Sequence, residues 1–415
     1  MLKQRKGTKP QGRFGLPTAR VAAFSIALAA ACWMGVALHR PADSSQSGGM
    51  THDLASILEA RLSTDGTVIA LNGSSINEHE PELRAWYLEV NKGDIVASTP
   101  TRWLSGLPHW GPGTSYIQDR VSPEGGGWAA LYLAESVTPT EPLPLAGGAF
   151  SSRSESGIWQ SAISPDRHWA AVTTRMDSNS QTVGFETWLV DVTANRVSQR
   201  IWRDTGSQYV YLLGVFNDPH EQGSFLVLLE GVSESPNPDE GPGVLAISCP
   251  SGKVRWRSLL TDFGWFSGAS FYDAESVLVA EESKDPRNTE IQRTRVWQIN
   301  LVNGKLRLLS MVPDTCHWIT VLRSDASQPL VFIGDSDIWL IAGPGVKTPR
   351  RILRNSVRGA SSAAGVRVDP VRGVDAYAVT SHNVWRCSFK DRTTQSIYST
   401  PGANADEPPQ IVGGL

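Results

Sequence analysis

Chemistry in a protein chain needs acids, bases or thiols at fixed spacings, and few stretches of this sequence offer them. Asp314, His317 and Trp318 stand together, a set that could orient a proton-transfer group. A single His–Asp pair is more often a satisfied structural contact, so no catalytic role is assigned to it. EHEPE at Glu78–Glu82 gathers three acids and a histidine, which a solvated loop between strands explains. There is no HExxH pair and no GxSxG elbow, since GWFSG at Gly264–Gly268 has the wrong spacing. Phosphate-cradling glycine patterns are absent as well. Cys249, Cys316 and Cys387 form no CxxC pair and read as buried strand residues, while Cys32 falls in an apolar run. The sequence therefore points to no catalytic residue, no metal and no cofactor.

The elements that carry these residues are strands. The chain of 415 residues is 40% hydrophobic and 19% charged, enough for a large core and against wholesale disorder. Thr, Val, Trp, Gly and Pro are plentiful and no long helical pattern occurs beyond the N-terminus, which predicts an all-β fold. Seven basic residues precede position 41 with no acid among them. Residues 41–415 then hold 31 basic against 41 acidic side chains, a net charge of −10, which argues against nucleic acid as a partner. The nearest basic cluster in sequence, Lys347, Arg350, Arg351, Arg354 and Arg358, reads as a solvated edge strand and its turn.

Val21–Leu38 is an uncharged apolar run of 18 residues. That length is at the short end of a membrane-crossing helix. The basic residues before it predict a cytoplasmic tail at 1–20, an anchor at 21–38 and a tether at 39–52. The main domain is then periplasmic or extracellular, on a single-pass protein of the cell inner membrane. A cleaved signal peptide shares this pattern.

From Asp65 onward a turn acid recurs: Asp65, Glu124, Asp166, Asp218, Asp273, Asp325 and Asp369, at spacings of 59, 42, 52, 55, 52 and 44. A short apolar strand follows each, and the physical reason for the acid is that Asp hydrogen-bonds its own backbone ahead. A second series, Trp86, Trp188, Trp297, Trp339 and Trp385, with Leu245 in the same place, precedes a hairpin turn. Two hairpins per unit make a four-stranded unit too thin to stand alone. The unit between Glu124 and Asp166 lacks the second hairpin signal, with TEPLPLAGG in its place. ISPDRHWAAV with ETWLVDVTANRV resembles the WD40-like propellers of bacterial envelopes, and VLAISCPSGKVRWRS resembles the quinoprotein-like repeat. The resemblance implies a β-propeller of about seven four-stranded blades over residues 53–400, with a tail at 401–415. It implies a fold rather than an activity.

The hairpin tryptophans read as packing between blades. A third series stands seven or eight residues before the acid: Tyr116, Trp159, Tyr211 (with Tyr209 nearby), Trp265 and Trp318. On the innermost strand these positions fall near one mouth of the central channel, where they would form a stacking surface. Packing between blades is the competing explanation. The expected function is a non-catalytic, membrane-anchored binding or scaffolding module whose partner is a protein or an envelope polysaccharide. The alternatives are a propeller enzyme (hydrolase, lyase or quinoprotein-like) with a site assembled from several blades, and a sensor signalling through the anchor. A converging cluster of histidine and carboxylates over the channel is the feature that separates the enzyme from the binder.

Overall fold

The computed structural model describes residues 54–75, 84–100, 107, 109–121, 127–132, 143–148, 158–176, 184–204, 209–221, 223–232, 243–259, 265–285, 288–323, 329–343, 345–355, 362–369, 373–401 and 406–415. They form seven antiparallel sheets, each built from consecutive strands. Blade 1 lies within residues 54–100, blade 2 within 109–144, blade 3 within 158–204 and blade 4 within 209–259. Blade 5 lies within 265–312, blade 6 within 318–354 and blade 7 within 362–399. Each has four strands, and Gln410–Ile411 adds a fifth to the outer strand of blade 6. The segment past residue 400 thus returns across blade 7, where the Thr394 hydroxyl donates to the Pro409 carbonyl at 3.1 Å. Among the described residues no helix is long and apolar enough to cross a membrane, and the run Val21–Leu38 lies outside them.

The period-2 rule of a strand shows why single blades cannot stand alone. In the second strand of blade 1, Val68–Ser75, Val68 and Ala70 pack toward blade 2, while Ile69 and Leu71 pack toward blade 7. Blade 4 repeats this: Val227 and Leu229 face blade 3, and Leu226 and Leu228 face blade 5. Both faces of each sheet are apolar and each is covered only by a neighbour, so burial drives the blades into a ring. The ring closes where blade 7 meets blade 1. There the Ile57 amide donates to the Ser381 carbonyl at 2.7 Å, and Trp86, Tyr377 and Val384 share one core. Arg367 also reaches Gly66, which has φ +70 and whose missing Cβ would stand 2.6 Å from the arginine side chain.

The acid turns are built as their chemistry requires. Asp65, Asp166, Asp218 and Asp273 each accept, through Oδ1, the backbone N–H two residues ahead: Thr67 at 3.0 Å, His168 at 3.1 Å, His220 at 2.8 Å and Glu275 at 3.0 Å. Glu124 and Asp325 lie outside the described residues.

Blade 2 corrects the sequence register. Its first strand is His109–Trp110, and the turn at 111–115 lies between the turns of blades 1 and 3. The Thr64 hydroxyl donates to the Gly113 carbonyl at 2.9 Å, and Arg167 lies 2.7 Å from where a Cβ of Gly113 would be. Glu124 therefore falls one hairpin late, between the second strand, Tyr116–Val121, and the third, Gly127–Tyr132. With Gly113 as the marker, the spacings of 59 and 42 become 48 and 53. The stretch TEPLPLAGG holds a two-residue outer strand, Leu143–Pro144, and a 3-10 turn, Leu145–Gly148. It has no room for a second full hairpin.

Candidate functional site

The first strands of all seven blades line one central cavity of about 1150 Å³. Arg61, Trp110, Gln160, Tyr211, Phe266, His317 and Arg367 represent blades 1 to 7 on its wall. At the acid-turn end the lining includes Ser63, Thr64 and Asp65. The opposite end, where the first strands begin, carries Trp159, Tyr211, Trp318 and an ionic cluster.

The five aromatic residues of that series part company. Trp159 stands near the start of its strand, Ile158–Ile163, and is 39% exposed. Two rings hold it edge-on: Phe185 at 6.0 Å and Tyr211, from the next blade, at 6.3 Å. Tyr211 and Trp318 both line the cavity. The Trp318 indole lies over Gly334, where a Cβ would come within 2.7 Å of the ring, and its buried Nε1 finds no partner among the described residues. Trp318 is thus shared between the wall and the packing of blades 6 and 7. Trp265 opens the first strand of blade 5, and its side chain lies outside the described residues, as does that of Tyr209. Tyr116 is not at the mouth. It is 3% exposed on a second strand, stacked on Tyr87 at 5.5 Å, with Trp110 against its edge at 5.3 Å. The register shift in blade 2 carried it into the core, where Tyr87 donates to Gln118 Oε1 at 2.7 Å.

Gln160, next to Trp159, accepts the Leu212 amide on its Oε1 at 2.5 Å. Its NH₂ is therefore the end left for other partners on the cavity wall.

The ionic cluster joins blades 5 and 6. His317 Nε2 meets Glu282 Oε1 at 2.9 Å, and Nδ1 meets Asp335 Oδ1 at 2.9 Å. The His317 amide donates to the Gly334 carbonyl at 2.9 Å, which fixes the backbone beneath the ring. Hydrogen bonds to Asp335 first and Glu282 second outweigh partial burial and raise the imidazole to about 10. The ring is an imidazolium at neutral pH with both N–H groups committed. Asp314 is not its partner: that carboxylate accepts Trp339 Nε1 at 3.3 Å. Sequence reasoning missed Glu282 and Asp335. They are far from His317 along the chain, and GDSD at Gly334–Asp337 reads as a hairpin turn. It is such a turn, and it also presents Asp335 to the channel while Asp337 holds Arg351 at 3.0 Å.

The other titratable groups are poor reagents. Burial pushes the thiols of Cys249 and Cys387 up to about 12 and that of Cys316 further still, and all three are free and buried. Burial, with Arg61 nearby, lowers His109 to about 4 and keeps it neutral. Among the described residues no group of three His, Cys, Asp or Glu side chains has a metal-holding arrangement.

Three hairpin tryptophans carry a recurring contact. Arg200 lies over Trp188 at 5.9 Å, Arg295 over Trp297 at 5.7 Å and Arg351 over Trp339 at 5.8 Å. Each arginine is also held by a carboxylate: Glu186 at 2.8 Å, Glu281 at 2.7 Å and Asp337 at 3.0 Å. These are cation–π stacks that rigidify blades. Trp86 and Trp385 are simply buried.

No protein family matches the sequence, and no curated protein is similar to it in sequence. Similar solved structures are propellers and propeller enzymes. The β-propeller domain of the trilobed protease from Pyrococcus furiosus is 11% identical, covering 83% of this chain and 99% of its own, with a TM-score of 0.47. Oligogalacturonate lyase from Vibrio parahaemolyticus is 10% identical, covering 85% and 80%, at 0.39. Prolyl oligopeptidase B from Galerina marginata is 8% identical, covering 78% of this chain and 45% of its own, at 0.45. The fold follows from the sheets and the closing seam rather than from these likenesses: the described residues form an all-β propeller of seven blades.

Proposed function

We propose that this protein is a non-catalytic binding module, anchored in the cell inner membrane by Val21–Leu38, that holds a periplasmic or extracellular protein or polysaccharide at one mouth of its channel. The observation that carries the reading is the pairing, at that mouth, of the exposed Trp159–Tyr211 corner with a fixed ionic cluster. An edge-supported indole offers a flat apolar face at low entropic cost. Beside the channel wall stand directional donors and acceptors: the Gln160 amide and the outer oxygens of Glu282 and Asp335. In-cell crosslinking of the Trp159→Ala/Tyr211→Ala double variant is the test. Capture of the partner is lost while thermal unfolding is that of the parent chain. Capture at the parent level by a folded variant sinks the reading.

The enzyme reading has one observation in its favour, the convergence of His317, Glu282 and Asp335 on the cavity. The geometry disfavours it. A ring with both N–H groups spent on carboxylates has no lone pair to take a proton and no free donor for an oxyanion.

A further inference from the structure

We propose that the rim of blades 3 to 5 is a docking surface for an anionic lipid bilayer. This surface lies on the outer strands, whereas the channel mouth is formed by the first strands, and it stands or falls apart from the binding function assigned there.

The rim is formed by the outer strands. Over the stretches 196–204, 253–259 and 305–312 there are eight Lys and Arg against one acid, Asp204, in a domain whose net charge is negative. The three stretches are neighbours in space. The turn before the outer strand of blade 4 rests on blade 3, with Gln199 Nε2 donating to the Pro250 carbonyl. The corresponding turn of blade 5 rests on blade 4: Trp256 Nε1 donates to the Leu301 carbonyl at 2.8 Å, and the Ser258 hydroxyl donates to the Gly304 carbonyl. One continuous basic band follows, and no stretch of contiguous sequence shows it.

Some of this charge is answered from behind. Glu186 holds Arg200 at 2.8 Å and lies 3.6 Å from Arg203, and the buried Asp218 holds Arg255 at 2.9 Å. These two carboxylates anchor three guanidiniums. Lys253, Lys305 and Arg307 are exposed on the same band, with Arg307 donating to the neutral amide of Gln298 at 2.6 Å. The band stays positive.

The occupant is read from what lies between the cations. Val254 is 51% exposed, Leu308 45% and Met311 42%, and all three sit on the outer strands of blades 4 and 5. A polyanion gains nothing from aliphatic side chains, whereas a bilayer takes them into the boundary between headgroups and acyl chains. Cations interleaved with apolar residues match a surface of acidic headgroups over hydrocarbon.

The test uses the full chain with Cys32→Ser, so that Val254→Cys can carry an environment-sensitive fluorophore; Cys249, Cys316 and Cys387 are buried. Emission is read on vesicles of phosphatidylcholine alone and on vesicles also containing phosphatidylglycerol. The basic residues before position 41 also favour acidic vesicles, so rim substitutions made in the same full chain separate rim docking from attachment by that segment. A blue shift is expected on the acidic vesicles only, reversed by high salt. Lys253→Gln and Arg307→Gln each lower the docked-to-undocked ratio about fivefold, the weight of one cation near an acidic membrane. Both positions are exposed, and far-UV circular dichroism checks that the variants fold. Equal emission on the two vesicles overturns the proposal, as does a shift indifferent to both substitutions. A shift produced equally by a soluble polyanion such as heparin, without lipid, overturns it in favour of a polyanion surface.

Discussion

Two junctions between blades are held by ionic clusters, and they are built in opposite ways. Where blade 5 meets blade 6, His317 sits at the channel mouth between Glu282 and Asp335, half-exposed, with a carboxylate on each ring nitrogen. Where blade 7 closes on blade 1, the cluster is largely buried and incompletely paired. Arg367 Nη1 donates to the Gly66 carbonyl at 2.7 Å, Nη2 lies 3.3 Å from Asp369, and the guanidinium stacks over Tyr377 at 5.6 Å. Asp375, fully buried beside it, has no hydrogen-bond partner for either oxygen among the described residues, and neither has the Tyr377 hydroxyl. The mouth junction can lose a contact to water at little cost. The closing seam loses more, because Asp375 behind it is fully buried.

The sharpest way to break that contrast is Arg367→Ala. It removes the arm that crosses from blade 7 to blade 1 and leaves Arg386 as the remaining cation acting on the buried Asp375 through space. The expected loss is about 3 kcal/mol, the low end for removing one partner from a largely buried ion pair. Urea unfolding measures it. The double variant Arg367→Ala/Asp375→Asn should recover part of the loss, since the orphaned charge is gone. A loss under about 1 kcal/mol in the single variant would place the seam with exposed ion pairs instead.

A third junction, between blades 4 and 5, sharpens the comparison. Glu230 is buried there, and neither carboxyl oxygen has a hydrogen-bond partner among the described residues. Burial raises its pKa well above 4.5, with the nearby Glu281 adding to the rise. An acid raised by folding contributes fully below its unfolded pKa, and that contribution fades as pH climbs toward the folded value. Glu230→Gln keeps the shape and removes the titration. The variant should match the parent near pH 4 and exceed it by about 1 kcal/mol near pH 8, because no proton need be kept or lost. Parallel stability curves across that range would show that Glu230 is not the buried acid it is taken for.

The sequence made the ring legible because its signals are local. An Asx turn is a contact of a residue with its own backbone two positions on, so Asp65, Asp166, Asp218 and Asp273 announce themselves. The hairpin tryptophans are legible for the same reason. Blade 2 failed because its first turn, at 111–115, uses glycine, proline and serine with no acid, and Glu124 one hairpin later mimicked the missing mark. That slip also misplaced Tyr116. Trp159 and Tyr211 were findable from their place on the first strand. The partners of His317 were not: Glu282 and Asp335 come from two other strand ends, and only closure of adjacent blades brings them to one ring. The basic rim was hidden likewise, since cations at about fifty-residue intervals make no patch until the blades stand side by side.

An effect no larger than that of Glu230 belongs to the mouth. His317→Gln can keep one hydrogen bond to Glu282 or Asp335 but cannot carry charge between them. Folding raises the histidine from 6.5 to about 10, so its contribution is complete below the unfolded value and is lost as pH rises through the folded one. The parent chain should therefore lose stability between neutral and strongly alkaline pH by a margin that the glutamine variant lacks. With the ring half-exposed, solvent screening limits that margin to about 1 kcal/mol. Thermal unfolding of both chains at pH values on either side of about 10 measures it. If the two curves run parallel, His317 gains nothing from its carboxylates that water would not supply. The mouth cluster would then be a loose surface pair, too weakly held to orient the donors and acceptors that the binding function needs.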